Sequence, residues 1–87
     1  MKVTFGFSSA LAQQIGGVRE LVVAGETNAE VFKGLAAANA KAAALLFTPT
    51  GEVQPFVHLF LNDKHFHPGQ PLKDDDRIDV VGALAGG

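Results

Sequence analysis

The stretch "TNAEVFKGLAAANAKAAALL" (27–46) limits this chain more than any other. It opens with a capping box. Thr27 can accept from the backbone N–H of Glu30, and the Glu30 side chain can reach back to the N–H of Thr27. A helix is therefore predicted to start at about Asn28. Val31, Leu35, Ala38, Ala42 and Leu45 fall on one stripe at helical spacing, which allows one helix to about Leu46. Gly34 inside it costs about 1 kcal/mol relative to alanine. Thr48, Pro49, Thr50 and Gly51 end the segment. One long amphipathic helix must cover its apolar stripe with something, and the rest of the chain reads as strands.

"KVTFGF" (2–7) alternates, with Val3, Phe5 and Phe7 on one face and Lys2, Thr4 and Gly6 on the other. After "SSALAQQI", Gly16-Gly17 marks a turn, and "VRELVVAG" (18–25) reads as a second strand antiparallel to the first. "FVHLFL" (56–61) is a third. Its Val57, Leu59 and Leu61 share one face and Phe56, His58 and Phe60 the other, so Phe60 is expected to face solvent if the first set meets the helix. "ND" (62–63) is a two-residue hairpin signal, "KHF" (64–66) the return strand, and "HPGQP" stops it. "IDVV" (78–81) is the last strand, with Ile78 and Val80 opposite Asp79 and Val81. The expected class is α+β: a mixed sheet of about five strands with one main helix packed across one face.

At 87 residues the chain makes one domain, burying only about 60% of the surface its unfolded form exposes. Seven Phe and many Val and Leu must supply the core, leaving no room for a deep catalytic cavity. The net charge of −2 and scattered basic residues argue against nucleic acid. No apolar run approaches the roughly 18 residues of a membrane span, and the strand-like N-terminus is unlike a signal peptide, so a cytoplasmic protein is expected. There is no cysteine, hence no thiolate chemistry. "DDD" (74–76) reads as a solvated turn, since adjacent carboxylates rarely converge on one cation. His58, His65 and His67 can share a face through the hairpin, with Phe60 opposite His65 and His58 opposite His67. A polar surface is the preferred reading, and no metal site is assigned. "GETNAE" and "IGG" lack phosphate-loop spacing.

The chain ends in "VVGALAGG" (80–87), a segment with almost nothing to pack. The expected division is a domain over 1–81 and a mobile C-terminal arm over 82–87.

The strand–helix order, the "LFLNDKHF" hairpin, the "PLKDDDRIDVV" approach and the final "GG" together resemble the ubiquitin-like β-grasp proteins. Within them the chain is most similar to the sulfur carriers of the ThiS/MoaD family. "FVHLFLND" and "DDDRIDVVGALAGG" resemble the cysteine-biosynthesis-type carriers most closely. Where these carriers often have proline before the final glycines, this chain has Gly82-Ala83-Leu84. The resemblance implies a helix broken near Asn39 or Ala40, with a short second helix over 41–46. It places Phe60 and Val81 where ubiquitin has its exposed recognition patch, and Leu84 on an apolar tail residue. His58 shares the Phe60 face, and Asp79 can pair with a partner's arginine or simply face water.

The same resemblance implies a chemistry for Gly87. A carboxylate anion resists nucleophiles, so an ATP-dependent, ubiquitin-activating-type partner would first adenylate it; a sulfur donor would then displace AMP and leave a thiocarboxylate. Gly86, with Ala85 and Leu84, would thread the adenylation channel, where a missing Cβ permits close approach. The implied partners are that adenylating enzyme, a sulfur-accepting biosynthetic enzyme and a processing metalloprotease. No bound cofactor and no catalytic residue are implied; ATP is the partner's substrate. Two alternatives stay open: the small subunit of a molybdopterin synthase, and a protein modifier joined to lysines through Gly87.

Overall fold

The structure, a computed structural model, describes residues 1–82. The alternation in Lys2–Phe7 forms the strand on which the sheet is assembled, β1, with Val3, Phe5 and Phe7 buried on its inner face. The elements that follow are α1 (Ser9–Gln14), β2 (Glu20–Ala24), α2 (Asn28–Ala38), α3 (Ala40–Leu46), β3 (Val57–Leu61), β4 (Lys64–His65) and β5 (Asp76–Gly82). They build one mixed five-stranded sheet in the order β2-β1-β5-β3-β4. β1 and β5 are parallel and every other neighbouring pair is antiparallel.

Thr27 caps α2 as predicted, its Oγ1 accepting from the Glu30 N–H at 3.2 Å. The return half of the box is displaced by one residue. Glu30 Oε1 accepts from the N–H of Glu26, at 2.8 Å, and not from Thr27. Gly34 lies where α2 crosses β2, and a Cβ there would come 2.6 Å from Val23 Cγ1. The missing side chain lets the helix sit close to the sheet, which offsets its poor helix propensity.

The helix breaks at Asn39. That residue is extended (φ −156°, ψ 95°) and caps α3, its Oδ1 accepting from the Ala42 N–H at 3.1 Å while its Nδ2 donates to Ile15 O at 3.2 Å. The break corrects the simple stripe, because Ala38 ends α2 exposed while Ala42, Leu45 and Leu46 return to the core from α3. Phe32 links the two layers. Its ring centroid lies 6.1 Å from Phe5, 5.0 Å from Phe47 and 6.5 Å from Phe66.

Four expectations need correction. A short helix, α1, fills the span before Gly16-Gly17 and buries Leu11 and Ala12. Phe56 precedes β3 in a turn and packs partly against the core, instead of sharing the outer face with Phe60. β5 is longer than 78–81: it runs to Gly82, which pairs with Val57, so the first residue assigned to the arm belongs to the sheet. Lastly, Asp76 is buried. Its Oδ2 accepts from the Lys73 N–H at 2.7 Å and its Oδ1 from Asn62 Nδ2 at 3.0 Å, tying the hairpin turn to the start of β5. Asp74 and Asp75 stay exposed, as a solvated turn requires.

Asn28 performs a similar service on the other side. Its side chain bonds Pro68 O, Gln70 O and the Leu72 N–H, pinning the connection before β5 to the start of α2. No helix among the described residues is long and apolar enough to cross a membrane.

Candidate functional site

The side chains facing away from the helices define the outer sheet face. Cross-strand register orders them into rows. One row runs over all five strands as His65, Phe60, Asp79, Gly6 and Glu20. The next pairs His58 with Val81, and the row on the other side runs Arg77, Thr4, Val22. Phe60, Val81, His58 and Asp79, the four residues assigned to docking, therefore form one block on the β3–β5 ladder.

Within that block Val81 is 40% exposed and His58 is exposed. Phe60 is half-buried, not open to solvent as expected. The His65 ring stands edge-on to it, with centroids 6.0 Å apart and planes at 83°. Phe60 and Val81 together give an apolar centre with an imidazole rim, the composition of a small docking patch.

Asp79 is already paired. Its Oδ1 accepts from Arg77 Nε at 2.9 Å, and Arg77 Nη1 reaches over β1 to Glu20 Oε2 at 2.7 Å. This crossing is possible because Gly6 lies beneath the guanidinium, where a Cβ would collide with Arg77 Nη2 and come within 2.8 Å of Asp79 Oδ1. The hydrogen bond to Glu20, followed by the one to Asp79, raises the Arg77 pKa above its ordinary value. Asp79 thus pairs with an arginine of its own chain, a third arrangement beside the two readings of it, a partner's arginine or plain solvent-facing polarity. A partner's cation would meet a carboxylate that Arg77 already orients.

Sequence reasoning missed Arg77, Glu20 and Gly6 as parts of this face. Alternation along "DRIDVV" places Arg77 beside Asp79 and could have found that contact. Glu20 is 57 residues from Arg77, and only the sheet register brings them together.

The histidines gather more loosely than the hairpin suggested. Phe60 does pair with His65, but β4 ends there, so the ladder stops before His58 and His67 can pair. Ring centroids are 4.6 Å apart for His65–His67 and 6.4 Å for His58–His65. Among the described residues no group of three or more His, Cys, Asp or Glu is placed to hold a metal ion.

On the helix side, an apolar groove lies between α2 and the segment after α3, lined by Phe32, Ala36, Ala43, Phe47, Pro49 and Pro68. Lys33 is the one ionisable residue on its lining among the described residues, so no acid–base pair converges there. Leu84, Ala85, Gly86 and Gly87 lie outside the described residues.

No protein-family model and no curated relative matches the chain. Solved structures do. SAMP1 from Haloferax volcanii superimposes with a TM-score of 0.83 over 100% of both chains, at 18% identity. CysO from Mycobacterium tuberculosis gives 0.76 at 23% identity, covering 94% of this chain and 99% of that one. The BexX/CysO complex of Amycolatopsis orientalis contains a chain matching at 0.79 and 24% identity, over 98% and 99%. With a mixed five-stranded sheet, helices packed on it and these full-length superpositions, the chain has the ubiquitin-like β-grasp fold.

Proposed function

We propose that this protein is a sulfur carrier, a co-substrate for separate enzymes and not itself an enzyme. One observation carries the reading. On a β-grasp body, the four residues that the family resemblance and strand faces single out for docking form one block on the ladder whose strand β5 leads to the C-terminal glycines. Gly87 is five residues beyond Gly82, a reach of up to about 17 Å. A partner seated on the Phe60–Val81 block would thus have the terminal carboxylate within reach of a nearby nucleotide site.

The chemistry balances without any group from the globular body. The Gly87 carboxylate oxygen attacks the α-phosphorus of ATP, the bond to pyrophosphate breaks, and an acyl-adenylate forms. A sulfide-equivalent donor adds to the acyl carbon and AMP leaves, exchanging one oxygen of the carboxylate for sulfur. The product thiocarboxylate is nucleophilic at sulfur and suits transfer to an activated biosynthetic intermediate. A cysteine- or methionine-type pathway or a siderophore-type pathway is favoured, in keeping with the resemblance to cysteine-type carriers. The partners would be a ubiquitin-activating-type adenylating enzyme, a sulfur-accepting enzyme and a processing metalloprotease, in the cytoplasm.

The experiment is intact-mass analysis after incubation with the adenylating enzyme, ATP and sulfide. A species with one oxygen replaced by sulfur is expected, and deletion of Gly87 should abolish it while leaving the fold unchanged.

The likeness to a small archaeal modifier protein favours a second reading. The same acyl-adenylate could pass to lysine amines, forming isopeptide bonds through Gly87. Gly-Gly remnants on lysines of cellular proteins would select that reading. Co-purification with a stable large subunit would instead select a molybdopterin-synthase role.

A further inference from the structure

The sheet has two edges, and they are treated differently. β4 is two residues long, begins with Lys64 and is followed by Pro68, features that blunt an edge against further pairing. β2 has five residues, none of them Lys or Pro, and pairs only with β1. Its hydrogen-bond parity is fixed at both ends. Phe7 N–H donates to Arg19 O at 2.9 Å, and Met1 and Gly25 exchange N–H···O bonds at 2.9 and 3.0 Å. Odd-numbered residues of β2 therefore bond to β1, and the N–H and C=O of Glu20, Val22 and Ala24 point away from the sheet. Among the described residues, none of these backbone groups has a partner outside the strand ladders. The side chain at the centre of this edge, Val22, is 63% exposed, the most open large apolar residue described.

We infer that β2 is a self-association edge, and that its occupant is a second copy of this chain paired antiparallel about Val22. The strand is complementary to itself in that register. Val22 faces Val22 of the second copy and exchanges both backbone bonds with it. Glu20 faces Ala24 of the second copy and Ala24 its Glu20, which makes about six new backbone hydrogen bonds in all. No like charges stand opposite one another, and the two exposed valines cover each other as a cross-strand pair. Beyond the ladder, Arg19 lies opposite Gly25 of the second copy, so no side chain obstructs either end. The product is a continuous ten-stranded sheet with both Phe60–Val81 blocks away from the junction. The contact is one short strand, so it belongs with weak, concentration-dependent interfaces. The inference does not depend on the function assigned to the tail.

The test uses the full chain in NMR diffusion and amide-exchange measurements at about 10 μM and about 1 mM. The expected result is slower diffusion at the higher concentration, with exchange of the Glu20, Val22 and Ala24 amides slowed about fivefold or more. Val22→Lys, which charges the edge, should remain monomeric at both concentrations. Val22→Pro, which removes an outward N–H without touching the β1 ladder, should do the same. Unchanged diffusion of the wild-type chain at about 1 mM, or a dimer that persists in both variants, would overturn the inference.

Discussion

Arg77 spans three strands because two carboxylates draw it and an absent side chain lets it lie flat. Gly6→Val should therefore displace the guanidinium and cost about 1–3 kcal/mol of stability, measured by urea unfolding. The ion pairs themselves are largely exposed, so Arg77→Met should cost less than about 1 kcal/mol. The sign of any pH effect follows from the raised pKa. A cation whose folded pKa is raised contributes fully below its unfolded value and loses that contribution only as pH rises through the folded one. The Arg77→Met deficit should hence be constant between about pH 7 and pH 9. Phe60 is the apolar centre of the proposed docking block, and Phe60→Ala should weaken binding to the proposed adenylating partner about tenfold or more in a calorimetric titration.

At the level of elements, strong local signals match the structure. Thr27 and its spacing to Glu30 placed the start of α2, and the alternation in "KVTFGF" placed β1 and its buried face. The Asn62-Asp63 turn placed the hairpin, both residues taking positive φ (47° and 74°). What local pattern missed depends on distant atoms. α1 is six residues long and is held by burial of Leu11 and Ala12, not by a side-chain cap. The break at Asn39 is invisible to helical periodicity, since Asn39 works by capping α3 and by donating to Ile15 O; only the family resemblance implies it. Asn39→Ala should cost about 1–2 kcal/mol and loosen α3, read as faster amide exchange at Ala42 and Ala43. In sequence Asp76 is one of three adjacent acids with nothing to mark it, and only its place at the start of β5 buries it. Asp76→Ala strands the Lys73 N–H and the Asn62 amide and should cost about 2–4 kcal/mol in thermal or urea unfolding.

For the whole molecule, the sequence points to the right architecture because one main helical segment, although it divides into α2 and α3, and five strands in this order have few ways to cover one another. The proposed docking block was legible to the extent that strand alternation and family resemblance put Phe60, Val81, His58 and Asp79 on one face. The clamp from Arg77 to Glu20 was not, since it exists only after β1 has been laid between β2 and β5. In the proposed function the body presents and the tail carries the chemistry, so one observation weighs both. Incubate the intact chain with a ubiquitin-activating-type adenylating enzyme from the same organism, ATP and sulfide, and weigh it. The expected product has one oxygen replaced by sulfur, located at Gly87 and missing from the variant lacking Gly87. An unmodified mass, under conditions where that enzyme charges a known carrier, would contradict it.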